Sequence, residues 1–373
     1  MRLLYAHNAS VPGRAAHTVQ VVKGCNALAR AGAQVTLAIP RGGAGARSKL
    51  ELISEAYGTP IGFRVRQYPF HRLPARDIVF GAMIGLAARV MRADFVLTRS
   101  ITVAFMTTGA GIATALELHQ PMDALRPAVV ERFERLVQRR SLASLIVISK
   151  RLKAYFESRA TRLRGRIISA PLGGDPVEVP LHSEHPGEFS VGYVGQLYPG
   201  KGMEIIVPLA RACPWAQFHV VGGDPEDVTY WRAKAQGASN LVMHGHVSHA
   251  RVSEHLARFD VVLGPYLRVV RGQGRYDNNL ADWMSPLKIF EYMAHGKPLL
   301  CSDLPVLREI LDDGETALLC SPDEIGSWVA ALRRLRDDPT LRVSLGARAK
   351  ERMEQSFTRD VWARKVLASL QAH

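Results

Sequence analysis

The sequence predicts an α/β protein of two doubly wound domains, and three observations support this fold class. Residues 1–40 alternate as strand, loop, helix and strand, which is the opening βαβ unit of a parallel sheet. The same alternation restarts at residue 189, after a stretch (180–187) that contains two prolines, a glycine and polar residues. A length of 373 residues also fits two domains of about 180 residues each. We therefore expect a first domain over 1–182, a second over 188–356 and a final helix over 357–373.

Apolar periodicity places the elements of the first domain. Residues 3–6 and 35–39 are short apolar runs typical of buried strands, and residues 17–30 between them have helical spacing that ends at Gly32. Residues 74–92 form an apolar helix edged by Arg76, Arg89 and Arg92, which either packs on the sheet or lies in a membrane interface. Further strands are predicted at 63–70, 94–99, 113–118, 145–148 and 167–170, and a basic helix at 150–166.

The second domain repeats this order of elements. Strands are predicted at 189–194, 218–221, 241–243, 259–263 and 299–301. Helices are predicted at 203–213, from Ser285 and Pro286 to His295, from Pro305 through Glu309, and at 324–335 and 340–357. Gly296, directly after His295, is the residue expected just past a helix end.

The positive charge of the chain is concentrated in its first half. The protein has 48 Lys and Arg against 34 Asp and Glu, a net charge of +14. Residues 1–185 hold 26 of these basic and 12 of the acidic residues, so this half carries the whole +14 and the remainder is neutral. This asymmetry predicts an anionic partner for the first domain. A membrane surface, a lipid-phosphate acceptor and nucleic acid are the candidates, but the 7% aromatic content and the absence of a nucleic-acid-binding motif argue against the last.

The remaining composition indicates an intracellular protein without a structural metal. Cys25, Cys213, Cys301 and Cys320 lie in apolar or small-residue contexts without metal-ligand spacing, which favours reduced thiols. The apolar run at the N-terminus is too short for a signal peptide, and no apolar run reaches the ~20 residues of a spanning helix. We expect a cytoplasmic protein whose basic first domain meets the inner face of the plasma membrane.

Two segments of the second domain have the character of a phosphate site. The helix that starts at Ser285 offers unpaired backbone N–H groups and a partial positive charge, which suit a diphosphate. Glu291, one to two turns further, is a carboxylate able to hold two ribose hydroxyls. The loop 195–202 follows a strand, precedes a helix and contains Lys201; it is not a Walker loop, because Gly202 stands where Ser or Thr is required.

These segments resemble the donor-binding region of the family 4 retaining glycosyltransferases, which have the GT-B fold. The family pattern is a Glu, seven residues, a second Glu and an Ala-x-Gly-x-Pro run. Glu291 matches the second Glu, and residues 294–298 (Ala-His-Gly-Lys-Pro) match the run. The first Glu is replaced by Trp283, next to Asp282. The resemblance implies two Rossmann-like domains on either side of a central cleft, with the final helix crossing back to the first domain.

The resemblance also implies roles for individual residues. His119, which like Arg99 follows a strand of the first domain, matches the histidine that lies near the donor sugar, and Lys201 matches the lysine that reaches the diphosphate; we predict both as catalytic. Gln196 replaces the family's arginine, and Arg271 or Arg275 is the candidate substitute. The predicted nucleotide-sugar-binding residues are Gly13, Gln196, Lys201, His246, Val247, Ser285, Pro286, Leu287 and Glu291. His244 and His246 lack a third ligand partner, so no metal site is predicted.

The resemblance implies a hexosyltransferase that uses a nucleotide-diphosphate sugar, retains the anomeric configuration and needs no metal. The acceptor expected from the basic first domain is a lipid-linked or cell-envelope polysaccharide. No carboxylate stands out as a nucleophile near His119, which favours a front-face path over a double displacement. A nucleotide-sugar epimerase of the same fold is the alternative; it would leave the basic first domain unexplained.

Overall fold

The chain divides into two compact units. The computed structural model describes residues 1–13, 16–41, 48–69, 76–177, 188–248, 251–271 and 279–372. Unit 1 comprises Met1–Leu172 together with Arg359–His373, and unit 2 comprises Gly173–Thr358. The first unit therefore ends ten residues before the predicted boundary at 182, and the predicted linker 180–187 lies outside the described residues.

Among the described residues, unit 1 forms a parallel seven-stranded sheet with the strand order β3-β2-β1-β4-β5-β6-β7. The order reverses between β1 and β4, so the carboxyl ends of these strands form a switch point where ligands of such sheets bind. The strands are β1 (Arg2–Ala6), β2 (Gln34–Pro40), β3 (Arg64–Tyr68), β4 (Phe95–Thr98), β5 (Thr114–Leu118), β6 (Leu142–Val147) and β7 (Ile167–Ser169).

The helices of unit 1 lie between these strands, and the last one comes from the C-terminus. They are α1 (Ala16–Arg30), α2 (Lys49–Tyr57), α3 (Arg76–Val90), α4 (Ile101–Gly109), α5 (Pro127–Leu136), α6 (Lys150–Arg159) and α13 (Arg359–Gln371). No helix of the described ranges is long and apolar enough to cross a bilayer.

Unit 2 repeats the doubly wound pattern with a six-stranded parallel sheet in the described residues, ordered β10-β9-β8-β11-β12-β13. Its strands are β8 (Phe189–Val194), β9 (Ala216–Val221), β10 (Leu241–Gly245), β11 (Val261–Gly264), β12 (Leu299–Ser302) and β13 (Leu318–Cys320). Its helices are α7 (Met203–Ala212), α8 (Pro225–Lys234), α9 (Val252–Ala257), α10 (Leu287–Ala294), α11 (Ile325–Asp337) and α12 (Pro339–Ser356).

One predicted helix is wrong. The segment after Pro305 forms a series of turns instead of a helix. The N–H groups of Leu307 and Ile310 bond to the carbonyls three residues earlier, while those of Arg308 and Leu311 bond four residues earlier, so no regular ladder forms. Among the described residues, the N-terminus of α10 is therefore the one helix start next to strand β12.

Several helices were missed although their caps are visible in the sequence. Ser48 and Glu51 form a reciprocal capping box at the start of α2. Ser100 caps α4 by accepting from the Val103 N–H, and Pro127 occupies the first turn of α5. Helices α2 and α4 are only nine residues long, which makes their periodicity hard to recognise, whereas α5 is clearly amphipathic and could have been predicted.

The last helix is part of unit 1. Trp362, Ala363, Val366 and Leu370 of α13 belong to the same buried cluster as the apolar residues of α1. Gly24 of α1 makes this approach possible, because a Cβ there would lie 3.1 Å from the Trp362 ring. The fold of unit 1 therefore depends on residues that lie almost two hundred positions beyond its seventh strand.

We predict that Trp362→Ala destabilises unit 1 by about 3–5 kcal/mol, because a ring that is 2% exposed leaves a cavity between α13 and α1. Thermal and chemical unfolding would measure the change. Arg364→Ala, an exposed position on the same helix, is the matched control and should change stability by less than about 0.5 kcal/mol. An equal effect of both substitutions would contradict the packing role.

Candidate functional site

A glycine loop follows β8 in unit 2 and is held by a buried tyrosine. The Tyr193 hydroxyl lies 2.7 Å from the carbonyl oxygen of Gln196 and 3.0 Å from that of Lys201. Gly200 and Gly202 have φ of +83° and +126°, and a Cβ at either would come within 2.4 Å of the neighbouring segment at Pro265 or Val269. Glycine is therefore required at both positions, and it fixes the path of the loop into α7.

Helix α10 is tied to the end of β8 by a second buried tyrosine. The Tyr292 hydroxyl accepts the Val194 N–H at 2.8 Å and lies 3.2 Å from the Val194 carbonyl oxygen. Val194 lies past the register in which β8 pairs with β11, so these two backbone groups have no strand partner on that side. The hydroxyl thus satisfies both groups and places the N-terminus of α10 beside the glycine loop.

The Ala-x-Gly-x-Pro run has a structural role of its own. Lys297 is 2% exposed, and its Nζ donates to the carbonyls of Ala257 at 2.8 Å and Phe259 at 2.9 Å, at the end of α9. Burial lowers the Lys297 pKa to about 8. His295 bonds to the Glu291 carbonyl through Nδ1 and to the Ser253 hydroxyl through Nε2. The run therefore anchors the C-terminal end of α10.

The predicted donor residues of α10 lie at its start and on its second turn. Pro286 is the N-cap, Leu287 is the first helical residue, and Ser285 before them is buried. Glu291 lies half-buried one turn beyond Leu287. Lys288, in the first turn of α10, lies against Gly195, so the start of this helix is next to the glycine loop.

Lysine side chains dominate the charge of this site. The Nζ atoms of Lys201 and Lys288 lie 5.6 Å and 4.9 Å from the centroid of the same Tyr266 ring. Burial lowers the Lys201 pKa to about 8. The Gln196 side-chain oxygen is buried without a hydrogen-bond partner in the described residues. The site therefore combines excess positive charge with backbone N–H groups, which suits an anion.

The other predicted donor residues have less definite positions. His246 is exposed just after β10, and half-buried Val247 packs against the apolar core of unit 2. Asp282 lies in a short 3-10 turn, and its carboxylate is 3.4 Å from the side-chain amide nitrogen of Asn279. The same amide donates to the Arg268 carbonyl, and Asn279 forms a backbone bridge with exposed Arg271. Arg275 lies outside the described residues.

In unit 1, Arg99, Glu117 and His119 form one cluster at the carboxyl ends of β4 and β5. His119 Nδ1 lies 2.7 Å from Arg99 Nη2, and His119 Nε2 lies 2.5 Å from Glu117 Oε1. Arginine only donates, so Nδ1 must accept and Nε2 carries the proton. Burial and the Arg99 charge lower the His119 pKa to about 4, against the opposing effect of Glu117. His119 is thus a neutral imidazole that positions Arg99 and Glu117.

Glu117 is the carboxylate closest to His119 in the described residues. It lies against His119 because residues two apart on a strand point to the same side. Glu117 is 1% exposed; burial raises its pKa, but the hydrogen bond from His119 and the Arg99 charge outweigh burial and hold the pKa below the ordinary value. Glu117 and Lys288 are the site residues that the sequence reasoning missed; alternation along β5 was the signal for the first.

Two further residues lie at the switch point of unit 1. His7, directly after β1, is 4% exposed, and its Nε2 has no hydrogen-bond partner among the described residues. Burial, with smaller effects of Arg99 and His17, lowers its pKa to about 3. The Gly13 N–H donates to the Tyr57 hydroxyl of α2, which donates in turn to the Gly13 carbonyl. Gly13 is therefore anchored, while Arg14 and Ala15 lie outside the described residues.

The second unit of the chain is similar in sequence to known proteins. Residues 188–338 match the family of glycosyl transferases group 1. The chain is 28% identical over 202 residues to a phosphatidyl-myo-inositol mannosyltransferase of Mycolicibacterium smegmatis, covering 49% of each protein. It is 29% identical over 188 residues to a D-inositol 3-phosphate glycosyltransferase of Kineococcus radiotolerans, covering 43% of this chain and 39% of that protein. The matches thus span about half the length of these relatives or less.

The fold matches solved structures over the whole chain. Anabaena HepE in complex with UDP superposes with a TM-score of 0.72 at 16% identity, covering 100% of both chains. Sucrose-phosphate synthase from Thermosynechococcus elongatus gives 0.71 at 16% identity, covering 100% of this chain and 98% of that one. The predicted GT-B fold is confirmed. Residues 188–338 are thus similar to the glycosyl transferases group 1 family, in the region where the resemblance at Glu291 lies.

Proposed function

We propose that the protein is a retaining, metal-independent hexosyltransferase that moves a sugar from a nucleotide-diphosphate sugar to a lipid-linked or cell-envelope polysaccharide acceptor. The observation that carries this proposal is the pairing, in the glycosyl transferases group 1 domain, of a lysine-bearing glycine loop with the N-terminus of α10. The relatives named as mannosyltransferase and glycosyltransferase, and the neighbour solved with UDP, support the same class.

The donor is proposed to bind in unit 2. The diphosphate would lie against Lys201 and the first N–H groups of α10, and Glu291 would accept hydrogen bonds from two ribose hydroxyls. The backbone around His246 and Val247 would contact the base. Fixed donors of this kind stabilise the charge that develops on a departing nucleoside diphosphate without reorganising, so no metal is needed.

The transfer step is proposed to proceed on one face of the sugar. The bond between the anomeric carbon and the diphosphate oxygen breaks with its electron pair, the acceptor hydroxyl oxygen bonds to the same face, and its proton passes to the diphosphate. Glu117 is buried and bonded to His119, so it serves better to orient His119 and Arg99 than to attack a sugar. This arrangement supports retention without a covalent intermediate.

The acceptor is proposed to lie at an anionic membrane surface that unit 1 meets. With the observed boundaries, unit 1 has 29 Lys and Arg against 10 Asp and Glu, a net charge of +19, and unit 2 has 19 against 24, a net charge of −5. Helix α3 packs Phe80 and Ile84 on the sheet, while Ile78, Leu86 and Val90 on its outer side are 42%, 67% and 73% exposed. An apolar stripe next to basic residues is typical of interfacial helices.

Incubation with UDP- and GDP-hexoses tests the reaction class. We expect sugar transfer to membrane-derived acceptors, an anomeric configuration in the product equal to that of the donor by NMR, and no effect of EDTA. Glu291→Gln should weaken nucleotide binding by about tenfold, the effect of losing a hydrogen bond to a charged group. Glu351→Gln, on the exposed side of α12, is the control.

Other results of this experiment would contradict the proposal in separate ways. An inverted product excludes retention, and inhibition by EDTA excludes metal independence. Conversion of the donor to its epimer without an acceptor would show the epimerase reaction instead.

Nucleotide binding should depend on pH through Lys201. Its pKa in the free site is about 8, and only the charged ammonium attracts a diphosphate. Affinity for UDP or GDP should therefore be lost as pH rises through about 8, by up to tenfold per pH unit. Titration calorimetry measures this. Lys201→Arg stays charged and should remove the part of the decline centred near pH 8; an unchanged decline in this variant would contradict the role of Lys201.

Binding of unit 1 to anionic lipid should depend on both salt and α3. We expect co-sedimentation with vesicles of phosphatidylglycerol and phosphatidylcholine, but not with phosphatidylcholine alone, and release by salt because each Lys or Arg near the surface contributes about 1 kcal/mol. Leu86→Glu with Val90→Glu should reduce binding at least about tenfold. Val343→Glu, at an exposed apolar position of unit 2, is the control. Binding that is absent or insensitive to salt would remove the membrane from the proposal.

A further inference from the structure

Lys288, in the first turn of α10, has a buried side-chain nitrogen without a salt-bridge partner in the described residues. Its Nζ atom is sealed from solvent and has no hydrogen-bond acceptor within the part of the chain that the structure describes. It lies 3.8 Å from the centroid of the Tyr193 ring and 4.9 Å from that of Tyr266. Ring contacts offset part of the cost of burying a charge, but the three N–H donors of the ammonium remain unused.

The position of this ammonium connects Lys288 to the glycine loop. A Cβ at Gly195 would lie 2.9 Å from the Lys288 Nζ, so the ammonium lies directly against the loop backbone. The ring of Tyr193 contacts the Lys288 side-chain nitrogen, and its hydroxyl lies within hydrogen-bonding distance of the carbonyls of Gln196 and Lys201. Lys288 therefore lies against the same glycine loop that contains Lys201, although 87 residues separate the two lysines in sequence.

The electrostatics of the two lysines are coupled. Burial and then the Lys201 charge lower the Lys288 pKa well below its ordinary value, while Cys301 and Glu291 raise it by less. The groups around the ammonium are therefore Lys201, Glu291, Cys301 and the two tyrosines, whose own pKa values are raised well above 10 by burial. An anion bound beside both lysines would offset the effect of the Lys201 charge on Lys288 and favour the charged form of each.

We propose that Lys288 is the second cation of the diphosphate site and acts there together with Lys201. This proposal rests on the proposed function and adds to it a residue whose charge is recruited by the ligand. Gln196, on the same loop, has no charge to contribute, and its side-chain oxygen is itself without a partner in the described residues. A diphosphate at the loop accepts hydrogen bonds from the Lys288 ammonium and restores its charge, so binding takes up a proton.

The competing interpretation is that Lys288 only fills space between two tyrosine rings. Lys288→Met separates the two interpretations, because methionine keeps most of the aliphatic stem and removes only the charge. If Lys288 binds the diphosphate, the variant should bind UDP and GDP at least about tenfold more weakly, the usual effect of a lost charge-assisted hydrogen bond. Binding of uridine and guanosine, which lack the diphosphate, should not change.

Restoring a cation on the loop is the decisive control. Gln196→Arg in the Lys288→Met background should recover most of the diphosphate affinity, because an arginine at position 196 supplies the missing charge from the other side of the site. Lys234→Met is the matched control: Lys234 also lies near a tyrosine ring, at 5.8 Å from the Tyr230 centroid, but it is exposed. It should bind all ligands like the wild type.

A proton-linkage measurement tests the proposal without altering Lys288. Calorimetry of the Lys201→Arg protein with UDP or GDP at about pH 8, in buffers of different ionisation enthalpy, should show proton uptake on binding. Absence of uptake in that variant, unchanged diphosphate affinity of Lys288→Met, or equal weakening of nucleoside and diphosphate binding would each overturn the role of Lys288 alone. A wild-type protein that binds no nucleoside diphosphate would overturn the proposed function as well.

Discussion

The hydrogen bonds between Tyr292 and Val194 are the constraint on which the site in unit 2 depends. A strand that continues past its neighbour leaves backbone groups without partners, and such groups must be satisfied when they are buried. Here the Tyr292 hydroxyl of α10 satisfies the backbone groups of Val194, and this contact fixes α10 relative to the end of β8. Both parts of the candidate site follow from this contact, because the glycine loop begins directly after Val194 and the N-terminus of α10 lies beside it. Tyr193 extends the same logic by holding two carbonyls of the loop.

The two ends of α10 perform different tasks. At its C-terminal end, Lys297 and His295 use their polar atoms for carbonyls and a hydroxyl of the chain itself. At its N-terminal end, Lys288 has no such acceptor in the described residues. Two buried lysines nine residues apart thus have opposite hydrogen-bonding states. Since an unsatisfied buried ammonium costs free energy, its presence beside a glycine loop is best explained by a ligand that satisfies it.

Unit 1 shows how a charged site is built around a neutral histidine. His119 has both ring nitrogens engaged, one with a cation and one with a carboxylate, and it therefore transmits position instead of exchanging protons. Arg99 retains a buried nitrogen, Nη1, without a partner in the described residues, and His7 nearby retains another. The net charge of +19 on the same unit adds a long-range attraction for anions. Local and global electrostatics of this unit thus favour the same class of partner.

The sequence by itself determined the α/β class, the restart of the pattern near residue 189, the strands of both sheets except β13, and the helix that begins after Pro286. These features depend on local periodicity and on residues such as Gly296 that act within a few positions. It also placed Glu291 and Lys201, because the motif around each is contiguous. Tertiary structure alone decided the rest. The return of Trp362 to α1, the contact of Glu117 with His119 and the position of Lys288 against Gly195 join residues through packing and strand order, which no local pattern encodes. The segment after Pro305 shows the reverse case, since its helical pattern gives turns with mixed three- and four-residue hydrogen bonds in the folded chain.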